Sequence, residues 1–200
     1  MSALRVREQD LVGKVAVITG ASRGIGRAVA LNLASRGCSI LGTYVTSGSI
    51  DLINSMNEEI NGHFKSVNQT HKVKIHGIKS SILSPTCAQD IADTLVEHFS
   101  SRVDIFINNA ADARNFDLGE LTVESIQESM ISNIQTPVLI VEEFVKRKMF
   151  QPESRIIYIS SVRSRQPWSG QLMYAAGKSA GESLCRTWSM AFGGKEEKVN

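Results

Sequence analysis

Hydrophobic positions along the chain alternate between short continuous runs and longer stretches of helical period. "KVAVIT" (14–19) is short, β-branched and bounded by glycine, so it reads as a buried strand. "IGRAVALNLASRG" (25–37) follows with apolar residues at helical spacing and Gly37 as its stop. The same alternation continues. Strands are predicted at 39–45, 73–78, 103–108 and 155–160, and helices at 49–60, 84–99, 122–149 and 171–192. A polar loop fills 61–72. Ser84 and Pro85 suit the N-cap and first position of one helix. "TVES" opens the long helix as a capping signal, and Pro137 predicts a bend within it. Gly193 and Gly194 end the last helix.

Strands that are apolar throughout, alternating with helices, imply a parallel sheet covered on both faces. The expected fold is α/β, a doubly wound sheet, with 1–200 as one domain. Hydrophobic residues make up 42% and charged residues 21%, the balance of an ordinary globular chain. A net charge of +2 with no basic block gives no footprint for nucleic acid. The charged opening "MSALRVREQD" has no apolar core of a secretory signal, and no run approaches the roughly 20 apolar residues of a membrane span. Three cysteines without CxxC spacing fit reduced thiols in a cytoplasmic protein. His63, His71, His76 and His98 have no partners at metal spacing, so they are expected at the surface and no metal is expected.

Two motifs carry chemistry. "TGASRGIG" sits between the first strand and the first helix. Glycines there allow a tight turn and close approach of backbone to a diphosphate, and the helix N-terminus offers free N–H groups to the anion. "YAAGK" places Tyr174 one helical turn before Lys178, with small residues between. A free tyrosine, with a pKa near ~10, is a poor proton donor at neutral pH. An adjacent ammonium stabilises the phenolate and makes such a residue useful in acid–base work.

Together with "NNA" at 108–110, Asn133 and "ISS" at 159–161, these motifs resemble the short-chain dehydrogenase/reductase family from about residue 13 to the end. The resemblance is to reductases of 3-oxoacyl thioesters, and a ketone of specialised metabolism is an equal candidate. It implies a catalytic set of Asn133, Ser161, Tyr174 and Lys178. Ser160 competes with Ser161, and the family spacing selects the latter. Cofactor contacts are implied for Gly20, Ser22, Arg23, Gly24, Ile25, Gly26, Thr46, Ser81, Asn109, Ala110, Tyr174 and Lys178. NADPH is expected over NADH, because no acid ends the second strand and Arg23 can pair with a 2′-phosphate. Arg163 and Arg165 either attract an anionic substrate or are simply solvated. Trp168 either packs on substrate or closes its loop.

Three positions depart from the family pattern. Ala111 stands where a glycine is usual, and Ser81 where an aspartate often meets adenine. The third is the ending "GGKEEKVN", where "VN" would open a sixth strand. The sheet is therefore expected to be short of its last strands, with one apolar edge uncovered. The resemblance further implies homodimers or homotetramers through helices 122–149 and 171–192. The rival reading is a truncated, inactive dinucleotide-binding or interaction protein.

Overall fold

The computed structural model describes residues 8–66 and 72–193. His71, the middle of the 61–72 loop, Gly194 and the closing "VN" lie outside the described residues. Five strands form one sheet in the order β3-β2-β1-β4-β5. They are β1 (Val15–Ile18), β2 (Ser39–Tyr44), β3 (Ile75–Lys79), β4 (Val103–Asn108) and β5 (Phe150–Tyr158). Every pairing is parallel. The chain winds outward from β1 to β3, returns across β1, and winds outward again through β4 and β5. That reversal opens a crevice at the carboxyl ends of β1 and β4.

Alternation along β1 sends Val15 and Val17 to one face of the sheet and Ala16 and Ile18 to the other. On the first face they share a core with Ile91 and Leu95 of α3 (Cys87–Phe99) and Ile140 and Phe144 of α5 (Thr136–Lys146). On the second they share one with Ala30 of α1 (Gly24–Ala34) and Ile53, Met56 and Ile60 of α2 (Ser49–Ser66). These side chains are closed to solvent. Burying each large one is worth about 1.5–3 kcal/mol. Trp188 and Phe192 of α6 (Leu172–Gly193) pack partly buried against the first core.

Several boundaries differ from the sequence-based expectation, each for a local reason. Helix α2 runs on to Ser66 because Phe64 continues the buried stripe of Ile53, Met56 and Ile60. Helix α3 starts at Cys87 rather than 84. Ser84 instead closes a turn around Pro85, its Oγ accepting from the Thr86 N–H (3.3 Å) and its carbonyl from the Cys87 N–H (3.2 Å). The long helix is three pieces: α4 (Val123–Met130), a π-helical turn (Ile131–Gln135) and α5. The "TVES" cap forms, with Thr122 and Ser125 bonding reciprocally. The irregularity lies near Pro137, as expected, in the turn just before it. Pro137 falls in the first turn of α5 and has no N–H to donate back into the π-helical turn. The helix stops at Lys146, since Lys148 takes φ 55° and turns Met149 into the core. Strand β5 begins at Phe150, and Gln151–Ser154 loop out of its ladder. Pro152, which has no N–H to donate, lies in that bulge. His63, His76 and His98 are half-buried rather than surface residues, and the rings of His76 and His98 lie 4.1 Å apart, tilted by 49°.

Candidate active site

The turn between β1 and α1 is held from three sides. Gly20 takes φ +69°, which only glycine adopts without strain. Its N–H donates to the Thr43 hydroxyl (3.0 Å), and the Ala21 N–H to the Thr43 carbonyl (3.0 Å). Asn109 donates its side-chain amide to the carbonyls of Thr19 (3.0 Å) and Gly20 (3.1 Å). The Thr19 hydroxyl accepts from the Asn109 and Ala110 N–H groups, each at 3.0 Å. Gly26 allows the first turn of α1 to cross this frame. A Cβ there would lie 2.2 Å from the Gly20 carbonyl oxygen.

Over the turn opens a cleft of about 550 Å³. Its walls include Gly20, Ser22 and Arg23 from the turn and Thr46 after β2. Ser81 follows β3, and Asn109, Ala110 and Ala111 follow β4. Gly24 and Ile25 are exposed at the start of α1. Helix α1 has no side-chain cap and no acidic residue in its first turn, so its N–H groups and positive dipole end are free to meet an anion. Arg23 is exposed, with no ion pair among the described residues. Glycine backbone, helix N-terminus and an unpaired guanidinium form a donor set that fits a phosphorylated dinucleotide.

The second group of residues gathers on α6. Lys178 is 2% exposed and donates to the Ile159 carbonyl at 2.6 Å. Its Nζ lies 5.5 Å from the centre of the Tyr174 ring and 4.9 Å from that of Tyr158. Burial pulls its pKa down to about 8, which still leaves it mostly charged at pH 7. Burial pushes the Tyr158 phenol up to about 12, so that hydroxyl stays neutral and faces the carbonyls of Asn133 (3.3 Å) and Gly177 (3.4 Å).

Asn133 is 1% exposed and sits in the π-helical turn. Its side chain holds the backbone of Asp112 at both ends, accepting from the N–H (2.8 Å) and donating to the carbonyl (2.9 Å). Asp112 lines the cleft, so this clamp joins the cleft to the π-helical turn. The Arg114 guanidinium and the Ser129 hydroxyl hold the Asp112 carboxyl down to about 2.

Ser161 follows β5 in extended conformation and opens a 3₁₀ turn, its Oγ accepting from the Arg163 N–H (3.2 Å). Ser160 bonds Glu182 on α6 at 2.7 Å. Arg163 stacks on Trp168 at 4.1 Å, and Arg165 lies 3.5 Å from Glu182, so neither is an unpartnered loop charge. Trp168 is 60% exposed and does not close its loop against the core. The loops after β4 and before α6 are tied by Phe116 to Gly170 (2.8 Å) and Gln171 to Asn115 (3.0 Å).

Sequence reasoning missed Thr43, Asp112, Tyr158 and Glu182. A threonine at a strand end beside a glycine turn is a signal that could have been read. For the other three, the contacts that tie them to the site reach residues far away in the chain.

A family model described as short chain dehydrogenase matches residues 14–200. L-xylulose reductase of Aspergillus niger is 33% identical over 196 residues, which cover 90% of this chain and 63% of the relative. The 3-oxoacyl-acyl-carrier-protein reductase of Escherichia coli is 29% identical over 167 residues, covering 84% of this chain and 62% of the relative. The chain thus spans less than two thirds of the length of these two relatives. Among solved structures, a blue fluorescent protein from a metagenomic library, in complex with NADPH, superposes with a TM-score of 0.81 at 28% identity. That match covers 92% of this chain and 71% of the other.

Proposed function

The chain belongs to the short-chain dehydrogenase family, and on that premise we propose that it reduces a ketone to an alcohol with NADPH, Tyr174 giving the proton. One observation carries the reading: a buried, still-charged Lys178 lies 5.5 Å from the Tyr174 ring, one turn away on α6. The glycine turn and the α1 N-terminus bind the diphosphate. Arg23, with Thr46, meets the 2′-phosphate, which favours NADPH over NADH. Ser81 faces the adenine, and Lys178 holds the ribose hydroxyls. When bound, the cofactor supplies the hydride. Ser161 orients the substrate carbonyl and stabilises charge growing on its oxygen. Tyr174 donates its proton to that oxygen, and the charge on Lys178 stabilises the phenolate left behind. Asn133 holds the loop that carries Asp112 and links the lysine to water.

The substrate is a 3-oxoacyl thioester, a specialised-metabolite ketone or a ketose. Exposed Val123, Ile126 and Met130 on α4, and Leu172 and Met190 on α6, support pairing of copies through these helices.

Tyr174→Phe removes the proton donor and leaves the ring. Turnover of acetoacetyl thioester or L-xylulose should fall by about 10²–10⁴-fold, with NADPH binding by fluorescence within about twofold of wild type. Turnover near wild type in this variant would overturn the assignment. No turnover by the unaltered chain across a ketone panel, with NADPH still bound, would favour a binding protein.

A further inference from the structure

The turn that presents Ser161 has no core of its own. Ser160, Val162 and Arg165 on either side are half or fully exposed. Such a turn is free to move unless something fastens it.

Glu182 supplies the fastening. Its Oε1 accepts from the hydroxyls of Ser160 (2.7 Å) and Ser164 (2.6 Å), and Arg165 approaches Oε2 at 3.5 Å. The residue just before Ser161 and the residue closing its turn are therefore fixed to one oxygen. Ser164 also bonds back to the Ser161 carbonyl, through its N–H (3.1 Å) and with its hydroxyl at 2.8 Å. A hydroxyl carries one proton, and the charged carboxylate is the stronger acceptor for it. Ser179, also on α6, donates to the Ser164 carbonyl at 2.9 Å.

Glu182 follows Lys178 by four residues, as Lys178 follows Tyr174. Residues at that spacing lie along one side of a helix. One rigid helix therefore carries Tyr174 and Lys178 and fastens the turn that holds Ser161.

We propose that Glu182 is a positioning residue, holding Ser161 in register with Tyr174 and Lys178 by latching the Ser160–Arg165 turn to α6. The proposal rests on the reductase reading for its catalytic consequence. The latch itself does not.

Two variants separate the roles of the carboxylate. Glu182→Leu keeps bulk and removes both acceptors. Glu182→Gln keeps Oε1, which takes both serine hydroxyls, and gives up only the long contact to Arg165. Backbone hydrogen exchange is followed in the full chain at Ser164, Arg165 and Gln166, whose N–H groups bond within the turn. Exchange there should be roughly tenfold or more faster in E182L, near wild type in E182Q, and unchanged in β1 and β4. With acetoacetyl thioester or L-xylulose, E182L should lose on the order of tenfold to a hundredfold in kcat. NADPH affinity should stay within about twofold, and E182Q should recover most of the rate. Equal exchange in wild type and E182L overturns the latch. Faster exchange in E182L with undiminished kcat overturns the positioning role. Should the unaltered chain reduce no ketone, the reductase reading fails while exchange still decides the latch.

Discussion

Lys178 is charged, buried and close to two phenols, and its environment works against that charge. Its folded pKa, about 8, lies below the ordinary 10.5, so the unfolded chain binds more protons between those values. The burial cost is fully present below pH 8 and is relieved as pH rises toward 10.5. Lys178→Met should therefore be more stable than wild type at pH 7, by about 2 kcal/mol. The gap should close by about pH 10.5. Urea unfolding at the two pH values measures it, and a constant gap would show that the ammonium is not the cause. The same titration bears on rate. Carbonyl reduction should decline as pH rises through about 8, where Lys178 loses its charge. The Tyr174–Lys178 pair was legible in the sequence because four residues on a helix are neighbours by construction. Tyr158 was not, since its partners, Asn133 and Gly177, come from two other elements.

At the scale of elements, α6 shows a packing constraint that helix propensity would get wrong. Gly181 in a helix interior is worse than alanine by about 1 kcal/mol. Yet a Cβ there would lie 2.1 Å from the Tyr158 ring, which is held between the π-helical turn and α6. Overpacking costs about 1–3 kcal/mol and outweighs the gain in propensity. Gly181→Ala should lower stability by the difference, up to about 2 kcal/mol, in thermal unfolding. Adding Tyr158→Val removes the ring, so the double variant should be less destabilised than the sum of the single ones. Additive losses would locate the cost elsewhere. The bend expected near Pro137 has a similar lesson. Proline marked the region, but the wide turn falls at Ile131–Gln135, where Asn133 meets the Asp112 loop.

Across the whole molecule, the cleft draws on the ends of β1, β2, β3 and β4, so a ligand in it binds only the folded sheet. NADPH at a hundredfold excess over its Kd should stabilise the chain by about 2.7 kcal/mol, read as a rise in Tm. NADH at equal concentration should raise it less, and Arg23→Ala should erase most of the difference. Equal shifts in the unaltered chain would place the 2′-phosphate away from Arg23. Strand β5 pairs only with β4 in the described sheet.

The order of strands and helices, the glycine turn and the tyrosine–lysine pair were determined by sequence alone. Each rests on a period or spacing within a few residues: continuous apolar runs for buried strands, a three-to-four repeat for helices, i and i+4 for the pair. Helix ends shifted where a buried stripe ran on, as at Phe64, or where a turn took the proline, as at Pro85. Tertiary structure alone decided what holds the site in place. Thr43 under the glycine turn, Asn133 on Asp112 and Glu182 on the Ser161 turn are contacts between elements distant in the chain. No local pattern encodes such contacts, because folding of the whole sheet is what makes these residues neighbours.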